Sequence, residues 1–310
     1  MKTIGIIGAG LVGTSWAIVF ARAGLHVRVF DSSPESGNAI RSHLSASLTQ
    51  LSEAGLLREA ASEISSRIHL VEDIAGAVRG SDYIQESVRE DVRIKEEVAK
   101  QIEAHLESHA FVGSSTSGFP SSAFTAELKR RESFLVVHPV NPPHLIPVVE
   151  IVPAPWTSAE TVSAADSLMR QVGQRPVLVR KEIDGFVLNR LQGALLEEAW
   201  RLYSAGYASV DDIDATISQG LGMRWAFMGP FETIDLNAKG GISDYAKHLA
   251  AMYQRIADTR PVVEAWNLQA VENASIERRQ LVAENDLTSR REWRDAMLLK
   301  LIKALRSEQP

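Results

Sequence analysis

Residues 3–31 read "TIGIIGAGLVGTSWAIVFARAGLHVRVFD", and their order decides the fold. "TIGII" is an apolar run of strand length, and "GAGLVG" interrupts it. "LVGTSWAIVFARAG" continues as a helix that is apolar nearly all round and closes at Gly24. "HVRVFD" is a second strand. Strand, glycine turn, helix and strand form one βαβ unit, for which a right-handed crossover is expected. Within it Gly8, Gly10 and Gly13 make G-x-G-x-x-G, here in the setting that gives the pattern meaning. The first glycine permits the turn, the second lets the backbone approach a pyrophosphate, and the third lets helix and strand pack closely. The helix start then offers the N–H groups of Leu11, Val12 and Gly13 to phosphates, together with the positive end of its dipole. Asp31 follows Gly10 by 21 residues, at the end of the second strand. A carboxylate there accepts hydrogen bonds from ribose hydroxyls and repels a 2′-phosphate, which predicts NAD rather than NADP. The competing reading makes Asp31 a cap for a helix beginning near Pro34.

Outward from this unit, residues 34–67 show no strand pattern and read as a helical hairpin inserted in the sheet, running into a short strand. "SDYIQESV", "HAFVGSS", "SFLVVHPV", "IPVVEIVP" and "RPVLVRKEI" supply further strands, with helices at "DVRIKEEVAKQIEAHL" and 159–171. From "DGFVLNRL" onward the strands stop, and helices are expected at 185–205, about 210–219, 230–238, 241–256 and toward 306. The expectation is an α/β fold: a Rossmann-type doubly wound sheet with an inserted helical hairpin, then an all-helical C-terminal domain. Residues 1–184 would bind NAD, and residues 185–310 would bind substrate and dimerise. Broad apolar helix faces of this kind commonly bury against a second copy, so a homodimer is expected.

The chain has 310 residues, 45% hydrophobic and 23% charged, with a net charge of −6 and no cysteine. The acidic balance argues against a nucleic-acid partner. Without cysteine there are no disulfides, thiolate metal sites or cysteine nucleophiles, which fits a reducing, cytoplasmic setting. The eight histidines lack ligand spacing, so no metal site is expected. Residues 3–21 carry no charge and resemble a membrane span or signal peptide in length, but their glycines, Thr and Ser weaken that reading.

"HPVNPPHLIPVVE" (138–150) carries the chemistry. Glu150 lies between Val149 and Ile151 in a strand whose two faces both look buried, and a buried carboxylate needs a polar partner. His138 ends the preceding strand, so the two residues can come within hydrogen-bond reach. A carboxylate that fixes an imidazole tautomer and stabilises the imidazolium is the base–orienter pair that alcohol oxidation by hydride transfer requires. A satisfied core histidine, with Glu150 paired to a basic residue, is the alternative. Ser117, in the small-residue loop "SSTSG" after a strand end, and Asn189, inside "GFVLNRL", are candidate substrate contacts. A turn serine and a helix-packing asparagine are their blander readings.

The segments "GAGLVGTSWAIVFARAG", "SSTSG", "HPVNPPHLIPVVEIVP", "GFVLNRLQGALLEEAWRL", "GLGMRWAFMGPFET" and "REWRDAMLLKL" occur in that order. They resemble the short-chain L-3-hydroxyacyl-CoA dehydrogenase superfamily, most closely its lambda-crystallin or L-gulonate 3-dehydrogenase branch, over essentially the whole chain. The resemblance implies NAD-dependent oxidation of a 3-hydroxyl, with His138 and Glu150 as the catalytic pair and Ser117 and Asn189 at the substrate. It places Glu90 and Lys95 near the nicotinamide ribose, with Asp91 where the family usually has asparagine. Arg224, in a segment where acyl-CoA members usually lack arginine, is a candidate for binding a free carboxylate. A salt bridge to Glu232 or Asp235 is its other reading. L-gulonate is the first substrate implied. L-carnitine, with Trp16, Trp225 and Phe231 offered for a cationic cage, and 3-hydroxybutyryl-CoA follow, and a crystallin-like structural role is the non-enzymatic alternative.

Overall fold

The computed structural model describes residues 2–33, 36–259 and 261–307. The chain forms two compact units, Met1–Arg190 with Leu298–Ala304, and Leu191–Met297 with Leu305–Pro310.

The first unit runs β1 (Thr3–Ile7), α1 (Leu11–Arg22), β2 (His26–Phe30), α2 (Ser36–Glu53), α3 (Ala61–Ser65), β3 (Ile68–Leu70), α4 (Ile74–Val78) and β4 (Tyr83–Glu86). It continues with α5 (Val92–Glu103), β5 (Phe111–Ser114), α6 (Ser122–Thr125), β6 (Phe134–Pro139), β7 (Val148–Pro153), α7 (Ala159–Gln171) and β8 (Arg175–Leu178). One eight-stranded sheet results, in the order β3-β2-β1-β4-β5-β6-β7-β8. All neighbours are parallel except β6 and β7, which are antiparallel. Chain order reverses between β1 and β4, and the carboxyl ends of strands at such a switch point are where doubly wound sheets bind ligands. The uniformly apolar character of α1 has a packing cause. Trp16, Ile18 and Phe20 are fully buried against the sheet, each burial contributing about 1.5–3 kcal/mol. Most of residues 3–21 is therefore core, Gly10 and Leu11 at the turn being exposed, and among the described residues no helix is long and apolar enough to cross a membrane.

The structure departs from expectation at the short elements. Between β2 and β3 the second helix shrinks to the five residues of α3. Arg67 then turns back to grip Glu59 and the Ala21 carbonyl. Pro34 and Glu35, where the first hairpin helix was expected to begin, lie outside the described residues. Helix α4 was not anticipated; Asp73 caps it by accepting from Gly76 N at 2.6 Å.

The remaining helices are α8 (Leu188–Ser204, which spans the junction at residue 190), α9 (Val210–Ala215), α10 (Gly222–Trp225), α11 (Pro230–Leu236), α12 (Gly241–Asp258) and α13 (Leu268–Leu281) of the second unit, and α14 (Leu287–Ser307), whose stretch Leu298–Ala304 belongs to the first. The expected helix at 210–219 extends to Trp225 through a π turn at Thr216–Leu221. Helix α8 starts three residues later than the apolar pattern suggests. Gly185 and Phe186 both adopt left-handed backbone, with φ of 72° and 51°, which no helix can continue.

Candidate active site

The antiparallel register sets His138 opposite Glu150. His138 Nδ1 lies 2.9 Å from Glu150 Oε2, and both side chains are buried. The other carboxylate oxygen of Glu150 accepts from Val187 N at 2.8 Å and Leu188 N at 2.9 Å, the opening N–H groups of α8. Phe186, fully buried with its ring 5.5 Å from the imidazole, makes the backbone turn that aims those groups at the carboxylate. A bulky residue in left-handed backbone costs on the order of 1–3 kcal/mol, and here the strain coincides with the placement of Glu150. Burial works to raise the Glu150 pKa, but the bonds from His138, Leu188 and Val187 outweigh it and hold the acid below its ordinary value. An ionised carboxylate only accepts, so Nδ1 is the nitrogen that donates to it, and in the neutral imidazole Nε2 then holds the lone pair. Among the described residues Nε2 has no protein partner, and it is not sealed from solvent.

A second polar cluster adjoins α8 through Asn189, whose Nδ2 donates to the Ser117 carbonyl at 2.7 Å. Ser117 sits in the exposed turn after β5, and that turn is gathered by Glu90. One carboxylate oxygen of Glu90 accepts from Thr116 Oγ1 at 2.8 Å, Ser117 N at 2.8 Å, Ser117 Oγ at 3.2 Å and Gly118 N at 3.1 Å. Partial burial opposes ionisation of Glu90, but the Lys95 charge and these bonds lower its pKa overall. The Lys95 ammonium is buried between Glu90 at 3.3 Å and Glu86 at 3.1 Å. Glu86 also accepts from Val88 N and the Ser114 hydroxyl. The sequence reading missed Glu86; its signal was a carboxylate ending the buried strand "YIQE". Asp91, where the family usually has asparagine, caps α5 by accepting from Arg93 N and Ile94 N, a role either residue performs.

At the switch point the three glycines differ. Gly8 has φ of 91°, and a Cβ there would lie 2.6 Å from the Ser87 carbonyl oxygen. A Cβ on Gly13 would lie 1.9 Å from the Gly8 carbonyl oxygen, so α1 could not approach β1. Above Gly10 the space is open. Thr14 N is the first to bond back, to Gly10 O, so the N–H groups of Leu11, Val12 and Gly13 have no partner within the helix. Asp31 accepts from Ala9 N at 2.6 Å and Ser33 N at 2.9 Å, tying β2 to the glycine turn and leaving lone pairs for ribose hydroxyls. This donor set fits a dinucleotide: open backbone for pyrophosphate, and a carboxylate beside it.

Arg224 lies in the second unit on α10, exposed, and among the described residues it makes no ion pair with Glu232 or Asp235. Asp235 instead accepts from Ile242 N. Trp225 and Phe231 are exposed. Trp16 is not available for a cage, since its ring is fully buried and its Nε1 donates to Ser115 Oγ. Among the described residues no group of three potential metal ligands gathers.

Residues 3–183 match the family model for the 3-hydroxyacyl-CoA dehydrogenase NAD binding domain, and residues 185–280 match the model for its C-terminal domain. The chain belongs to the 3-hydroxyacyl-CoA dehydrogenase family. This dehydrogenase is 40% identical to the lambda-crystallin of Oryctolagus cuniculus, over 98% of the chain and 97% of that protein. It is 32% identical to an L-carnitine dehydrogenase of Pseudomonas putida, over 100% of the chain and 95% of that protein. Among solved structures it resembles an NAD+-dependent dismutase, 5-formyl-3-hydroxy-2-methylpyridine 4-carboxylic acid 5-dehydrogenase. That match has a TM-score of 0.85 and 28% identity, and covers 100% of both chains. The dehydrogenase is an NAD-dependent oxidoreductase, as both its domains and its relatives indicate.

Proposed function

We propose that the enzyme oxidises the 3-hydroxyl of an L-3-hydroxy acid to the 3-keto acid, with L-gulonate as the first candidate substrate. The observation that carries the reading is the His138–Glu150 contact at 2.9 Å, with Nε2 left without a partner among the described residues. When bound, NAD supplies the acceptor for the hydride leaving C3. His138 Nε2 takes the hydroxyl proton as the hydride leaves, and the resulting imidazolium faces an ionised Glu150. Val187 and Leu188 keep that carboxylate aimed at the ring. Ser117 and Asn189 bind the substrate oxygens, and Glu90, anchored by Lys95, fixes the turn that presents Ser117. The glycine turn and Asp31 hold the cofactor. Residues 1–184 form the NAD-binding domain, and residues 185–310 the substrate-binding and dimerisation domain.

The substrate assignment rests on Arg224, which makes no ion pair among the described residues and whose guanidinium matches a carboxylate in a two-pronged geometry. A coenzyme A thioester has no charge at that place, and α2 carries Arg41 as its one lysine or arginine for the nucleotide tail. L-carnitine is the second reading, supported by the relatives of that activity and by exposed Trp225 and Phe231. The exposed Phe227, Phe231 and Leu236 support a homodimer, to be checked by light scattering on the eluting protein. A cytoplasmic location accords with the absence of cysteine. The test is NADH formation from L-gulonate, L-carnitine, 3-hydroxybutyrate and 3-hydroxybutyryl-CoA with purified enzyme. Preference for L-gulonate is expected, and turnover of the thioester alone would overturn the free-acid reading.

A further inference from the structure

Beneath the switch point lies a hydrogen-bond chain whose direction is fully determined. Tyr83, with no exposed surface, has its pKa raised well above the ordinary value by burial, so its hydroxyl stays protonated and donates to Gln85 Oε1. Gly113 makes room for that hydroxyl, since a Cβ there would lie 2.1 Å from it. Gln85 Nε2 faces the Val137 carbonyl at 3.3 Å, and a carbonyl only accepts, which fixes the amide orientation. The second N–H of Gln85 goes to Ser115 Oγ at 2.8 Å. Ser115 Oγ also accepts from the indole N–H of Trp16 at 3.2 Å, and an indole is a donor only. Both lone pairs of the Ser115 hydroxyl are then filled, so its hydrogen must go to its remaining neighbour, Ser87 Oγ at 2.8 Å. Ser87 accepts there and has to give its own hydrogen elsewhere. Among the described residues no protein atom takes it.

Ser87 is the first residue beyond β4, at the carboxyl end of the strand beside β1. Its N–H continues the pairing to Ile7 O at 2.7 Å, and its carbonyl abuts Gly8. The side chain is half-buried at the position where a doubly wound sheet receives its dinucleotide. We propose that the Ser87 hydroxyl is a forced hydrogen-bond donor to an acceptor oxygen of the bound dinucleotide, a pyrophosphate or ribose oxygen, oriented from below by Trp16, Gln85 and Ser115. A donor already committed outward loses no alternative bond when the cofactor arrives, so the contact is pre-organised.

The test is NADH affinity of the full-length protein by fluorescence titration, independent of which alcohol the enzyme oxidises. Ser87→Ala should weaken binding about 5–20-fold. Ser87→Cys, nearly the same size but a weak donor, should behave like Ala, whereas Ser87→Thr, which keeps the hydroxyl, should stay within about threefold of the parent. ADP-ribose titrated in parallel says which half of the cofactor is engaged: an equal loss places the acceptor in the shared half, and no loss with ADP-ribose places it on the nicotinamide side. Unchanged NADH affinity in Ala and Cys overturns the proposal, as does an equal loss in all three variants, which would mean that shape and not donation matters. If the Ala protein fails to fold, the Cys and Thr pair carries the same comparison.

Discussion

Replacing Glu150 by glutamine tests the centre of the proposed mechanism without removing the side chain. The carboxylate accepts three bonds, from His138 Nδ1 at 2.9 Å, Val187 N at 2.8 Å and Leu188 N at 2.9 Å. A glutamine in that place has one accepting oxygen and one donating NH2 group. Turning the NH2 toward α8 would oppose it to two backbone donors, and each buried donor left unsatisfied costs about 1–3 kcal/mol. The oxygen therefore stays with α8 and the NH2 faces His138. Imidazole adapts by changing tautomer: Nδ1 accepts, the proton moves to Nε2, and the base is lost. The protein should fold and bind NADH nearly as before, while kcat falls about 10²–10⁴-fold, equivalent to about 3–5 kcal/mol of barrier. KM should change little. The assay is the initial rate of NADH formation at saturating hydroxy acid, with NADH titration and thermal melting on the same preparation. A well-folded Glu150→Gln enzyme with kcat within about threefold of the parent would refute the reasoning.

Arg224→Met should raise KM for the free acid about 10–100-fold, the worth of a charged hydrogen bond, and steady-state kinetics showing no change would remove the carboxylate argument. Gly10→Ala and Gly13→Ala should differ in kind. The first adds a methyl to open space and should weaken NADH titration while leaving the melting temperature alone, whereas the second meets the Gly8 carbonyl at 1.9 Å and should lower the melting temperature as well. Burial, with His43 and Arg22 nearby, pushes the His144 pKa from 6.5 down to about 4, so the unfolded chain binds a proton that the fold refuses in that window. That contribution to stability is complete above pH 6.5 and is lost as pH falls toward 4, by about 1–3 kcal/mol after allowance for solvent screening. Urea denaturation across the window should show the slope in the parent and a flatter one in His144→Gln.

The central strands β1 and β6 were legible because they are buried on both faces and so appear as nearly continuous apolar runs, whereas β2, β3 and β8 are partly exposed. His138 and Glu150 were legible for a related reason: a charged residue inside such a run demands a partner, and the neighbouring strand supplied it. The short elements were not. α3, expected as a longer helix, and α4, not expected, have five residues each, too few to establish a helical period or its bounds, and the left-handed turn at Phe186 has no signature in a residue type that avoids it. The hydrogen-bond partners below the switch point were hidden for another reason. Trp16 and Ser115 are 99 positions apart, and burial patterns tell which side chains go inside but not which polar atoms meet there.

The two polar clusters share one electrostatic arrangement. When its imidazole is neutral, His138 together with an ionised Glu150 carries one negative charge, and by formal charge Glu86 and Glu90 around Lys95 also leave one. In both, the charge is held by backbone N–H groups as well as by the basic side chain: Val187 and Leu188 for Glu150, Val88 for Glu86, and Ser117 and Gly118 for Glu90. Backbone donors are fixed in place and cannot give up their protons, so each carboxylate keeps part of its stabilisation whatever the side-chain partner does. For the Lys95 cluster this means rigidity, since nothing in it has to change during turnover. For the His138 cluster it means readiness. Taking a proton converts a pair of charge −1 into a neutral imidazolium–carboxylate pair, with Glu150 already oriented before the proton arrives and α8 unchanged after it leaves. Asn189, one residue beyond Leu188, joins the clusters through the Ser117 carbonyl. The helix start that steadies the proposed base thus also holds the turn proposed to face the substrate, and a change that displaced residues 187–189 would disturb both at once.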